Sequence, residues 1–233
     1  MPVINHFGQP IGEPLTGWTA RPRPARIMLP GDYCRLEPLE PARHRQALYD
    51  AYYSVPHTEE WTYLPVERPA DQRGFQALLE GLAGSEDQHM AVIDKASGEA
   101  VGSAAFMRIQ PVHGVAELGW INWSLRMQRQ RTGTEAIYLM LRYLFDDLGY
   151  RRCEWKCDSL NAPSRAAALR YGFQYEGCFR QAIVTKGRNR DTAWFALLDS
   201  EWPAVRQALA QWLAPENFDE QGQQRHRLQA LMP

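Results

Sequence analysis

The segment Gln128-Arg129-Gln130-Arg131-Thr132-Gly133-Thr134-Glu135-Ala136 constrains this chain more than any other. Before it, Val115 to Trp123 alternates like a strand. After it, apolar residues recur at helical spacing to about Leu148. A short cationic loop that opens a helix is an anion trap, because the first helical turn leaves backbone N–H groups unpaired and carries partial positive charge. Such a junction suits a diphosphate.

The rest of the chain reads as a mixed α/β order. Six of the first 30 residues are proline, so residues 1–30 are expected to form an extended arm over the domain at 31–213. Asp32 to Leu39 reads as a strand, Pro41 to Tyr53 as a helix and Ala70 to Leu82 as a second helix. His89 to Ile93, Glu99 to Ile109 and Val115 to Trp123 read as an antiparallel meander with turns at Gly98 and Gly114. The helix Thr132 to Leu148 should stop at Gly149. Arg152 to Asp158 reads as a strand and Asn161 to Tyr171 as a helix. Phe173 to Thr185 and Asp191 to Leu198 read as a hairpin, and Ser200 should cap a last helix to Leu213. Residues 214–233 form a polar, partly helical tail. The order β-α-α-β-β-β-α-β-α-β-β-α implies a meander followed by a right-handed crossover into a parallel neighbour. A slot is expected where adjacent strands part.

Net charge is −1 over 233 residues, which disfavours non-specific nucleic-acid binding. No apolar run nears the ~20 residues of a membrane span. The Pro- and Arg-bearing start differs from a signal peptide, so a cytoplasmic location is expected. Cys34, Cys153, Cys157 and Cys178 lack a zinc-type spacing and read as reduced thiols, with Cys153 and Cys157 on one strand face. No metal is expected.

These residues resemble the GNAT superfamily of acetyl-CoA-dependent N-acetyltransferases, and within it the RimJ/RimL-like branch of ribosomal-protein N-terminal acetyltransferases. The family's Gln/Arg-x-x-Gly-x-Gly/Ala signature is matched by Gln128 to Gly133. Downstream, Asn161, Ser164, Gly172-Phe173, Glu176-Gly177 and Arg180 keep the family's order, over about Gly31 to Leu213. The resemblance implies a central, mixed, mostly antiparallel twisted sheet flanked by helices, with an acyl-CoA slot between splayed strands. Two departures stand out. The first signature glycine is Arg131, which either points away or supplies a cation. The tyrosine many family members place seven residues after the asparagine is Ala168 here.

On that resemblance, backbone N–H groups of Arg129, Gln130, Arg131, Thr132, Gly133 and Thr134 are candidates for the diphosphate. Arg126, Arg129 and Arg131 could add charge-assisted contacts. Asn122, Trp123, Ser124 and Leu125 would line the pantetheine, and Asn161 would hydrogen-bond it, a role that overlaps with plain N-capping. Ser164 is the candidate donor to the leaving sulfur. Glu117, grouped with Gly119 and Ile121 on one strand face, is the candidate base, with Asp191 as a weaker alternative. His44, His57 and His113 read as solvated. Trp61, Tyr63, Trp120 and Trp123 could wall the acceptor site, though such aromatics often serve as core. Glu59 and Glu60 could attract a cationic amine. The expected activity is acetyl transfer to a primary amine by direct attack in a ternary complex. The acceptor is a protein N-terminus, a peptide-like compound or a small amine. The alternative is an acyl-CoA-binding module with little or no catalysis. A homodimer is a further possibility.

Overall fold

The computed structural model describes residues 2–56 and 59–233; His57, one of the histidines read as solvated, lies outside them. The described residues build an eight-stranded main sheet, a two-stranded one and five α-helices. Strands β1 (Val3–Ile4) and β2 (Pro10–Ile11) pair only with each other. The main sheet comprises β3 (Leu29–Pro30), β4 (Cys34–Pro38), β5 (Gln88–Asp94), β6 (Ala100–Gln110), β7 (Val115–Trp123), β8 (Arg152–Asp158), β9 (Gln174–Thr185) and β10 (Arg188–Leu198). Their spatial order is β3-β4-β5-β6-β7-β8-β10-β9, and among the described residues β7–β8 is the one parallel pair. The helices are α1 (Pro41–Tyr52), α2 (Gln72–Ala83), α3 (Arg131–Arg142), α4 (Ala162–Arg170) and α5 (Trp202–Leu213).

The two sheet faces feed two cores. On one, Leu36, Val92, Phe106, Leu118, Cys153 and Trp155 pack with Ile137 and Met140 of α3 and Val205 and Leu209 of α5. On the other, Ala91, Ile93 and Ala100 pack with Leu48 and Tyr52 of α1 and Phe75 and Leu79 of α2. Asp71 starts α2 by accepting from the Gly74 N–H at 2.7 Å, the usual way to satisfy a first-turn donor.

Three local readings change. The helix expected to reach Leu148 is α-helical only to Arg142. Tyr143–Asp147 widens into a π turn before Gly149, whose φ is 67°. The last helix starts one residue later, with Glu201 rather than Ser200 at the N-cap position and no side-chain cap bond, Pro203 lying in its first turn. His44 is buried, not solvated. Its Nδ1 accepts from the Glu40 N–H and its Nε2 lies 3.1 Å from Glu37. Burial holds the His44 pKa below the ordinary histidine value, against the pull of Glu37.

Residues 18–25 run past the turn before β7 and the π turn that follows α3. The Trp18 indole N–H donates to the Val112 carbonyl, and its ring would lie 2.5 Å from any Cβ at Gly114. The Ala25 N–H donates to the Tyr143 hydroxyl, and the Tyr150 hydroxyl donates to the Pro22 carbonyl. After α5 the chain folds back, burying Leu228 and Asn217.

The most consequential internal contact is Glu135. Its carboxylate, buried in α3, accepts from the N–H groups of Asp32, Tyr33 and Cys34 at 2.7, 2.7 and 2.6 Å. Gly31 is required beside it, since a Cβ there would sit 2.6 Å from that carboxyl carbon. Glu135→Gln keeps one acceptor oxygen and loses the charge, so it should destabilise the fold by about 1–2 kcal/mol. Urea unfolding would check this; an unchanged midpoint would show that water replaces the carboxylate.

Candidate active site

The site begins where the sheet parts. β7 and β8 pair at Val115–Arg152, Ala116–Cys153 and Glu117–Glu154, and no further. Beyond that point β7 stays on β6, and β8 stays on β10. A bulge accompanies the parting. Gly119 opposes Ala105 and Asn122 opposes Ser103, so Trp120 and Ile121 together face Ala104. Trp120 takes φ 48°, a left-handed value unusual for a bulky residue. Such an insertion bends a strand and raises its twist. It also regroups the side chains: Ile121 packs into the core beneath α3, and Asn122 joins Glu117 and Gly119 on the α1 face. The grouping of Glu117, Gly119 and Ile121 on one face therefore does not hold.

One end of the gap meets the start of α3. Gln130 is the N-cap residue and offers no side-chain cap, leaving the first-turn N–H groups unbonded to it. Arg126, Arg129 and Gln130 are exposed, and Arg129 has φ 59°. Thr132 and Gly133 are buried; a Cβ on Gly133 would lie 3.6 Å from the Trp123 indole nitrogen. Thr134 accepts from Arg170 of α4 at 3.0 Å. The Arg131 guanidinium is stacked between the rings of Tyr33 and Phe218. Ser124 is buried with an unpartnered hydroxyl, and the neighbouring Leu125 is exposed. The Asn122 carbonyl accepts from the Tyr52 hydroxyl. An uncapped helix start, exposed arginines and an unbonded buried hydroxyl fit a phosphate-bearing chain.

Across the gap, Asn161 caps α4, its side chain accepting from the Ser164 N–H at 3.1 Å. The Ser164 hydroxyl accepts from the Trp155 indole N–H at 2.9 Å. It also bonds the Cys157 thiol, partly offsetting the burial that pushes that thiol's pKa up. The position of the absent tyrosine, Ala168, is fully buried.

On the α1 face, Glu117 is 7% exposed. Lys156 lies 3.0 Å from it and 2.7 Å from Glu154, beneath the Trp194 ring at 3.8 Å. Arg108 approaches Glu117 at 3.7 Å. Burial pushes the Glu117 carboxyl above the usual carboxylate range, opposed by Lys156 and Arg108. Asp191 is spent differently. It accepts from the N–H of Gln181 and from Asn189, which holds its carboxyl low and ties together the β9–β10 hairpin.

The aromatics divide. Trp61 is 3% exposed, set edge-on to Tyr52 in the second core, so packing accounts for it. Tyr63 is at the surface, its hydroxyl donating to the Leu160 carbonyl just before α4. The Trp120 ring stands edge-on to buried His89, whose pKa burial lowers to about 4. Lys186, at the hairpin turn, donates to the Trp61 carbonyl and pairs with Glu67. His113 is exposed, as are Glu59 and its neighbourhood in part.

A family model described as an acetyltransferase (GNAT) domain matches residues 34–174, more than half of the chain. The chain is a GNAT acetyltransferase. A crystal structure of a GCN5-related N-acetyltransferase from Brucella melitensis is 50% identical and superposes with TM-score 0.91, covering 93% of this chain and 99% of that one. A probable GNAT-family acetyltransferase from Chromobacterium violaceum is 40% identical with TM-score 0.78, covering 84% and 98%. The ribosomal-protein-serine acetyltransferase of Escherichia coli is 32% identical over 44% of this chain and 58% of its own length. The chain thus spans somewhat over half of that relative. No helix among the described residues is long and apolar enough to cross a membrane.

Sequence reading of this GNAT enzyme missed Lys156, Trp155 and Arg108. Lys156 was visible as part of the polar alternation Arg152, Glu154, Lys156, Asp158. Nothing in that alternation signals that Glu117 and Trp194, from other strands, would bury it.

Proposed function

We propose that this enzyme transfers the acetyl group of acetyl-CoA directly to a primary amine held in a ternary complex. The observation that carries this reading is the gap itself. It opens at Glu117, and it runs between the uncapped start of α3 and the start of α4. Acetyl-CoA supplies the activated acyl group. The first-turn N–H groups of α3, with Arg126 and Arg129, would hold its diphosphate. Asn122 to Leu125 would align its pantetheine along the free edge of β7. Glu117, its carboxyl pKa raised by burial and pulled back by Lys156, would take a proton from the acceptor ammonium, directly or through water. The amine nitrogen then bonds to the carbonyl carbon and the carbon–sulfur bond breaks; Ser164 gives its proton to the departing sulfur and regains one, through water, from the second proton that the nitrogen must lose to become an amide. Positioning carries much of the acceleration.

For the acceptor, we favour a protein or peptide N-terminus over a free small amine. The E. coli relative is named for a ribosomal-protein serine; Tyr63, bonded to the Leu160 carbonyl just before α4, and Trp120, in the β7 bulge, would wall such an acceptor. Thiol release from acetyl-CoA, measured across Ser-initiated peptides and simple amines, tests this. Turnover confined to small amines would overturn the acceptor class. CoA binding without turnover on any acceptor would favour the binding-module reading.

The diphosphate assignment has its own test in Gln130→Asp. An aspartate at the N-cap bonds the free first-turn N–H groups, so stability should rise by about 1 kcal/mol. The same carboxylate competes with phosphate, so CoA affinity should fall at least tenfold, about 1.4 kcal/mol. Calorimetry and thermal unfolding read the two opposite signs. Higher stability with unchanged CoA affinity would remove the site from the start of α3.

A further inference from the structure

Arg131 stands where the family signature carries a glycine, at the first residue of α3. Its guanidinium carbon lies 4.5 Å from the Tyr33 ring centre and 4.3 Å from that of Phe218. Phe218 belongs to the segment after α5, outside the residues that the family model matches. We propose that Arg131 and Phe218 are positioning residues for the co-substrate: the segment after α5 clamps the turn that opens α3 and so sets the affinity for acetyl-CoA. This rests on the reading that the diphosphate sits at the start of α3.

Four observations support it. First, the clamp is anchored on both sides. Tyr33 donates through its hydroxyl to the Leu213 carbonyl, and its N–H is held by Glu135. Second, the Phe218 segment is internally bonded. Asn217 is buried, donates to the Trp212 and His226 carbonyls and accepts from the His226 N–H. Phe218 packs edge-on to Trp212, with ring centres 5.2 Å apart. Third, a second arginine repeats the link. Arg170 stacks on Trp212 at 4.9 Å and donates to Thr134, one turn into α3. Trp212 belongs to the end of α5 and Phe218 to the segment packed on it, so these two neighbouring rings reach the first turn of α3 through two arginines. Fourth, the turn has reason to need gripping. Arg129 is a non-glycine residue at φ 59°, and Gln130 supplies no cap. A strained, uncapped turn presents converging N–H groups only when its surroundings hold it. Holding it in advance removes an ordering cost from binding.

The test is calorimetric titration of the full chain with CoA, so the acceptor need not be known. Phe218→Ala should weaken CoA binding about fivefold or more, and Phe218→Tyr, which keeps the aromatic face, should restore it. Phe218→Leu keeps apolar volume without the ring face and should bind as weakly as Phe218→Ala, which covers the case in which the alanine variant does not fold. Arg131→Ala should show a similar loss. The double variant with Phe218→Leu should bind no worse than the weaker single variant, because both changes break one contact. If Arg131→Ala adds its full loss on top of Phe218→Leu, the arginine meets the phosphates itself and the clamp is overturned. Wild-type affinity in a folded Phe218→Leu protein overturns it too. Gln130→Asp separates the premises. Weak binding there with normal binding in Phe218→Leu sinks the clamp alone, whereas normal binding in Gln130→Asp sinks the α3 site on which the clamp depends.

Discussion

Replacing Ser164 by alanine is expected to lower kcat roughly 10²-fold. The KM for acetyl-CoA should stay within about threefold, because a group that helps mainly in the transition state contributes little to ground-state binding. The hydroxyl accepts from the Trp155 indole N–H. Accepting one bond strengthens the other that a hydroxyl donates. Its own proton is left for the Cys157 sulfur or for a thiolate leaving through the gap. Alanine at this position also strands the Trp155 donor, so stability should fall by about 1–3 kcal/mol. Trp155→Phe removes the donor and keeps the hydroxyl, and its kcat should fall less than that of Ser164→Ala. Steady-state kinetics separate the roles. If kcat holds and KM rises instead, Ser164 is a binding group. Wild-type rates would leave positioning and the leaving ability of the thiolate as sufficient.

Glu117→Gln should lower kcat by a comparable factor, about 10²-fold, and remove the acidic limb of the pH–rate profile, with CoA affinity nearly unchanged. The sign follows from the role. A base works ionised, so activity is present above its pKa and lost as pH falls through it. Burial raises that pKa, with Lys156 and Arg108 pulling it back, so the limb should lie above the ordinary carboxylate range. Lys156→Gln keeps a donor and removes the charge. Its limb should therefore move to higher pH, while Glu117→Gln shows none. A Glu117→Gln profile superposing on wild type would make the carboxylate structural and leave the pH dependence to the amine's own ionisation.

The element order and the single crossover were readable because α3 and β7 carry opposite periodicities on either side of Gln128 to Thr134. The GNAT resemblance rested on that junction together with the order and spacing of Asn161, Ser164, Gly172-Phe173, Glu176-Gly177 and Arg180. Features built by contacts distant in sequence were not readable. The bulge at Trp120 hides in a strand with apolar residues on both faces, where a one-residue slip leaves no gap in the pattern. The π turn at Tyr143 keeps nearly the same apolar spacing as the helix before it. His44 pairs with Glu37 only seven residues back, but its burial depends on how α1 packs against the sheet. Lys156 depends on two other strands for its surroundings. Phe218 sits in a polar stretch, and its purpose shows only when Arg131 folds against it.

The parted sheet has a consequence for how the molecule responds to heat. The β3–β7 and β8–β10 halves are joined through strand pairing at three residue pairs only, with α3 spanning between them. A co-substrate whose amides bond the free edge of β7, and whose phosphates bond α3, would act as a missing strand and stitch the halves together. Unfolding would then have to break the ligand's bonds as well. At a hundredfold excess over Kd, that linkage amounts to about 2.7 kcal/mol. Acetyl-CoA would in that case be a structural member of the resting enzyme as well as its reagent. A thermal-shift measurement without any acceptor would register it, and so identify preferred acyl-CoA chains before a single turnover is observed.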